Sequence, residues 1–168
     1  MIQQVAYNLA IAEEQLQFEH RDLHWGNVLL KEVPKTKTLN YKLQGKTHSC
    51  PSHGVEVTLI DFTLSRMTHN GVTTFTDLGK DPDLFLSEGD YQFDIYRLMK
   101  ERNKNDWTAF MPYSNILWLH YILRKAIKGV RYKNPKSKVH QRHIKQLQLY
   151  ESTVLSFSSA REFVCKYF

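Results

Sequence analysis

Apolar residues at Ile2, Val5, Ala6, Leu9 and Leu16 recur at helical spacing with Glu13, Glu14 and Gln15 turned outward, which predicts an amphipathic helix over residues 2–16. The pattern then changes period. Val28 to Leu30 reads as a short strand, and Val55, Val57 and Leu59 alternate with Glu56 and Thr58 as a second strand that ends at Asp61. Between them, residues 31–54 form an insertion rich in Lys, Thr, Gly and Pro, in which Leu39, Tyr41 and Leu43 alternate and predict an added edge strand. Residues 62–90 look irregular, punctuated by Gly71, Gly79, Pro82 and Gly89. Past Asp90 the periodicity is helical again: Phe93, Tyr96, Leu98 and Met99 begin one helix, and residues 115–128 form a very apolar second one stopped by Gly129. A basic loop around Asn134 and Pro135 leads to a helix from about His140 to Tyr150, and Ser159 with Glu162 reads as a capping box for a last helix carrying Phe163, Val164 and Tyr167. The expected fold class is α+β, a mainly helical body with a small sheet on one side, in a single unit spanning residues 1–168.

Composition narrows the class. Hydrophobic residues make up 42% and charged residues 24% of the 168, which matches soluble globular proteins and disfavours disorder. The most apolar stretch, Phe110 to Leu123, is broken by Pro112, Ser114, Asn115 and His120, so no membrane span is expected, and the first ten residues lack the basic cluster of a signal peptide. Cys50 and Cys165 lie far apart and form no disulfide framework, which suits a reducing compartment, nuclear or cytosolic. His48 and His53 flank Cys50 without a fourth ligand for zinc, so that segment reads as a polar loop.

The net charge of +6 is unevenly spread. From Asp77 to Asp94 there are six acids (Asp77, Asp81, Asp83, Glu88, Asp90, Asp94) against Lys80 alone, whereas from Trp107 to Tyr150 there is no acid and there are nine bases, between Arg124 and Lys145. The chain thus presents one anionic and one cationic surface.

The chemistry gathers in "FEHRDLHWGNVLLK", residues 18–31. Phosphoryl transfer needs a carboxylate to accept a hydroxyl proton and oxygen ligands that hold magnesium against nucleotide phosphates. Asp22 is the candidate acceptor; Asn27, five residues on, and Asp61, at the end of the returning strand in V-T-L-I-D-F, are the candidate metal ligands. H-R-D alone is a common triplet, but H-R-D-L-x-x-x-N before one strand and Asp at the end of the next is a specific constellation.

These residues resemble the C-terminal lobe of a eukaryotic protein kinase, specifically of the haspin family of atypical kinases. The resemblance covers nearly the whole chain and rests on "HRDLHWGNVLL", "IDFTLSR", "DPDLFLSEGDYQFDIYRLMK", "PYSNILWLHYI" and the 31–54 insertion. It implies a serine/threonine kinase that uses ATP and Mg2+, with nucleotide contacts at Asp22, Leu23, His24, Trp25, Gly26, Asn27, Asp61, Phe62 and Thr63 and magnesium on Asn27 and Asp61. His20, Arg21 and Asp94 take structural roles, Asp94 as the helix-borne acid that braces the catalytic loop. Thr63 replaces the Gly of D-F-G, and its β-branch is expected to hold the metal-binding segment in its active setting. No A-P-E precedes Asp94, so Arg21 needs no phosphorylated loop residue, although Thr73, Thr74 and Thr76 are phosphorylatable.

The resemblance also implies a basic substrate, the histone H3 tail, held by Asp77, Asp81, Asp83 and Asp90, and the stretch 124–145 suits nucleosomal DNA. A monomer in the nucleus on chromosomes, or in the cytoplasm, is expected. The glycine-rich turn, strand lysine and helix glutamate of a kinase have no counterpart in the 19 residues before the loop, so little activity is expected of the chain alone. Two other readings stand beside this one: a small-molecule phosphotransferase of the aminoglycoside or choline kinase type, and a non-catalytic chromatin-binding lobe.

Overall fold

The computed structural model describes all 168 residues. Helix α1 (Ile2–Leu16) forms over the expected span and ends at Gln17, which takes the left-handed conformation (φ 45°) and closes the last turn through its N–H to Ala12 and Glu13 carbonyls. Its inner face, Ile2, Val5, Ala6, Leu9 and Ala10, is buried, each large aliphatic adding about 1.5–3 kcal/mol of burial. Gln4 is buried on the same helix, and its amide accepts from Val57 N (2.8 Å) and donates to the Val55 carbonyl (2.9 Å). One polar side chain thereby pins a strand to the helix.

That strand is β4 (Val55–Leu59), antiparallel to β1 (Val28–Glu32) in a register running from Val28↔Leu59 to Glu32↔Val55. The alternation at Leu39, Tyr41 and Leu43 does form a strand, β2 (Thr38–Leu43), but it pairs with β3 (Lys46–Pro51) in a hairpin of its own rather than extending the first sheet. The reason is packing: Tyr41 stacks on Tyr7 of α1 with ring centroids 4.9 Å apart, and Leu43 is buried in the core, so the hairpin lies against the helix. Gln44 and Gly45 at its tip both have positive φ (51° and 73°), as a tight hairpin turn requires. Within the stretch expected to be irregular there is a third short hairpin, β5 (Met67–His69) with β6 (Val72–Thr74), then a 3-10 turn at 78–80 and the one-turn helix α2 (Asp83–Leu86).

Helix α3 (Tyr91–Arg102) is capped by Asp90, whose side chain accepts from Gln92 N (3.0 Å). Helix α4 (Tyr113–Arg124) is the centre of the core, with Ile116, Leu117, Trp118, Leu119, Tyr121, Ile122 and Leu123 all buried, and it runs into a π-helical turn at 125–129. Helix α5 (Lys138–Val154) follows the basic loop, and none of the helices is long and apolar enough to cross a membrane. The last helix, α6 (Ala160–Tyr167), is capped as expected by Ser159, which accepts from Glu162 N (3.1 Å), but Glu162 reaches back to Ser158 rather than to the cap residue.

A second carboxylate completes that helix start. Glu13 of α1 accepts from Ala160 N and Arg161 N (both 3.0 Å) and from the Asn115 amide (3.0 Å), joining α1, α4 and α6 at one buried point. Burial lifts its carboxyl to about 7 against the pull of these donors.

Candidate active site

The loop between α1 and β1 is held from below by long-range partners. His20 N donates to Asn115 Oδ1 (3.0 Å), and the His20 ring pairs with the Ile60 carbonyl (3.1 Å) while burial lowers its pKa to about 4, so it stays neutral. Arg21 is fully buried in the left-handed conformation (φ 65°). Its guanidinium forms a bidentate ion pair with Glu19 (3.0 and 3.2 Å), donates to the Trp107 carbonyl (2.8 Å), and lies 5.4 Å over the Trp107 ring. Glu19 is completed by Met111 N and Ser114 Oγ, both at 2.8 Å. The side chain of Arg21 is thus already matched to an internal carboxylate and has no call for a phosphorylated loop residue.

On top of this base sits Asp22. One carboxylate oxygen, Oδ1, accepts from the Tyr96 hydroxyl, and His24 Nε2 stands 4.0 Å from the same oxygen. Burial raises the Asp22 pKa, against the Tyr96 hydrogen bond that favours its charged form. The Asn27 amide donates to the Asp22 carbonyl (2.8 Å), which leaves Asn27 Oδ1 as an acceptor, and Gly26 N donates to His24 Nδ1 (3.1 Å). Ile60 N bonds the Asn27 carbonyl (3.1 Å), so the end of β4 is stitched to the loop and delivers Asp61 beside Asn27.

Asp61 is exposed, with φ 61°, a conformation costly for a non-glycine residue unless it is held. Thr63 holds it: the hydroxyl (2.7 Å) and backbone N–H (3.3 Å) both donate to Asp61 Oδ1 and keep its carboxyl below the usual range. Oδ2 is left without a partner. An ionised carboxylate oxygen and an amide oxygen on adjoining strand ends are the hard donors that Mg2+ takes, so the residues present fit that ion. Bound there, Mg2+ would neutralise nucleotide phosphate charge.

Residues 1–164 match the model of the family described as "Haspin like kinase domain". The chain belongs to the haspin-like kinase family. It is 48% identical over 168 residues to the serine/threonine-protein kinase haspin of Mus musculus, covering 99% of this chain and 22% of that protein. It is 46% identical to the Bos taurus haspin kinase (99% of this chain, 21% of that protein) and 42% identical over 159 residues to the haspin homolog of Drosophila melanogaster (95% and 28%). The chain therefore spans 21–28% of the length of these relatives, as a partial kinase-like domain.

Against this haspin framework the structure brings Asp22, His24, Asn27, Asp61 and Thr63 together at one sheet edge and corrects other assignments. Leu23 is fully buried in the core, so its side chain is out of reach of a nucleotide. Asp94 does not brace the loop: it is exposed and pairs with Arg97 (2.7 Å) one turn along α3. The bracing acceptor is Asn115, at the start of α4, and a sequence reading that looks for an acid passes it by. Asp90 is committed as helix cap and ion-pair partner of Lys125, and Asp77 caps the 78–80 turn with Lys80 3.8 Å away. Asp81 and Asp83 are exposed and carry no side-chain hydrogen bond or ion pair. Glu19 and Tyr96, which position Arg21 and Asp22, were legible only as a loop acid and a core aromatic.

Proposed function

We propose that this chain carries the catalytic-loop half of a haspin-type serine/threonine kinase that moves the γ-phosphate of ATP to a threonine in the basic N-terminal tail of histone H3, in mitotic chromatin. The observation that supports it most is the convergence of Asp22, Asn27 and Asp61 where β1 and β4 meet the loop. Asp22 accepts the proton of the substrate hydroxyl through its open oxygen as that hydroxyl's oxygen bonds the γ-phosphorus and the phosphorus–oxygen bond to ADP breaks. The nucleotide's other face is to be covered by an N-terminal lobe. Its seat is the apolar groove of about 570 Å³ lined by Ala12, Leu16, Phe18, Leu59, Phe62 and Met67, beside exposed Leu29 and Leu30.

The tail is basic, and Asp81 and Asp83 are the two candidate carboxylates left free to meet it. Replacing both by Lys in the native polypeptide that carries these residues should raise the KM for an H3-tail peptide by tenfold or more, at about 1.4 kcal/mol per tenfold, and leave the KM for ATP unchanged. An unchanged peptide KM removes this assignment, and no transfer to the peptide at all by the unaltered polypeptide removes the substrate.

Nucleosomal DNA is the second proposed partner. Lys125 is occupied by Asp90 and Arg124 lies 4.2 Å over the Tyr91 ring, so the cations on offer are Lys128 and the six from Arg131 to Lys145, all exposed. Each phosphate they neutralise should add about 0.9 to the salt slope of nucleosome binding, and a free H3 peptide should show no such increment. Equal slopes for nucleosome and peptide count against DNA contact. Such partners place the protein in the nucleus, on chromosomes.

A further inference from the structure

We propose that Tyr96 is the positioning residue for the proton acceptor, orienting Asp22 so that one carboxylate oxygen is tied to the fold and the other is presented to the substrate hydroxyl. The inference rests on the kinase reading of Asp22 given above. It starts from the partners of that carboxylate. Oδ1 accepts the Tyr96 hydroxyl, and Oδ2 accepts no hydrogen bond. Of the other groups facing it, His24 Nε2 at 4.0 Å is beyond hydrogen-bond reach of Oδ1, and Asp61 carries like charge. Asn27 grips the Asp22 backbone carbonyl, not the carboxylate. Tyr96 is therefore the group that sets the rotation of the Asp22 side chain.

The donor is itself immobile. Tyr96 projects from α3, is buried to 4% exposure, and its ring meets the edge of fully buried Trp118 with centroids 5.4 Å apart at 72°. With two side-chain torsions fixed by that packing, the hydroxyl has one place to be. Burial and the adjacent Asp22 charge push its phenol well above the ordinary range, so it remains a donor and does not compete as a base. An acceptor held in this way enters the reaction with its open lone pairs already aimed, and misplacement by an ångström costs about a hundredfold in rate.

Tyr96→Phe keeps the ring on Trp118 and deletes only the hydroxyl. In the native polypeptide that carries this chain, kcat for an H3-tail threonine peptide should fall about tenfold to a hundredfold, with the KM for ATP and for peptide moving less than about twofold. In the 168-residue chain itself, the Tyr96 hydroxyl proton should give a slowly exchanging NMR signal that disappears in Asp22→Ala. An unchanged kcat in Tyr96→Phe overturns the proposal, as does a fall in kcat matched by loss of peptide or ATP binding. Absence of the hydroxyl signal from the unaltered chain overturns it even where the variant fails to fold. If Asp22→Asn abolishes transfer while Tyr96→Phe is silent, only the role of Tyr96 is lost; full activity in Asp22→Asn overturns the reading of Asp22 as proton acceptor, on which this role rests.

Discussion

Asp22→Asn lowers kcat for phosphoryl transfer by about a hundredfold to ten-thousandfold, while the KM values for ATP and peptide change little. The expectation follows from what the site asks of the carboxylate. An asparagine retains the shape and still accepts the Tyr96 hydroxyl through its amide oxygen, so the loop keeps its geometry. What is lost is the oxygen that takes the proton. Steady-state kinetics on the native polypeptide, with peptide and ATP varied separately, reads both quantities. A variant that kept kcat within about threefold would show that positioning and charge stabilisation alone carry the reaction, and that the acceptor assignment is wrong.

Arg21→Met is the largest expected effect on stability. It leaves Glu19, which is 2% exposed, without its bidentate partner in the core, and breaking a buried pair from one side costs about 3–5 kcal/mol. For a chain of 168 residues that corresponds to a fall in Tm of roughly 6–20 °C, measurable by circular dichroism or calorimetry. Glu19→Leu alone should cost a similar amount, because Arg21 would then be the stranded charge. The double replacement should be less destabilising than the sum of the singles, since neither charge of the pair is left stranded without the other. Strict additivity would mean that the two charges contribute independently and that the Trp107 carbonyl and ring hold Arg21 as firmly as Glu19 does.

How much of this was legible in sequence depended on the range of the interaction. Helix α1 and strand β4 follow from period, because each alternates buried and wetter positions, β1 follows from its short apolar run although Leu29 and Leu30 are exposed, and the order of Asp22, Asn27 and Asp61 along them is local information. The β2–β3 hairpin was half legible: alternation predicts a strand, but the surface it packs on includes Tyr7 of α1, a residue more than thirty positions away. The bracing of the catalytic loop was misassigned for the same kind of reason. Asp94 had the charge expected of a brace, yet α3 turns it to solvent beside Arg97, whereas Asn115 has no charge and the right register. Thr63 was expected to act through its β-branch; the structure adds its hydroxyl, which bonds the Asp61 carboxylate directly and which a backbone argument alone does not foresee.

The carboxylate of Glu13 has a wider meaning than its place in a helix cap. It takes two N–H groups from the start of α6 and one from the Asn115 amide, whose own oxygen receives His20 N. Those few bonds connect the last helix of the chain to the peptide unit two residues before Asp22. The C-terminal helix is thus moored, through one buried carboxylate and one amide, to the same loop that carries Asp22, so the chain's last turns and its catalytic-loop motif share an anchor.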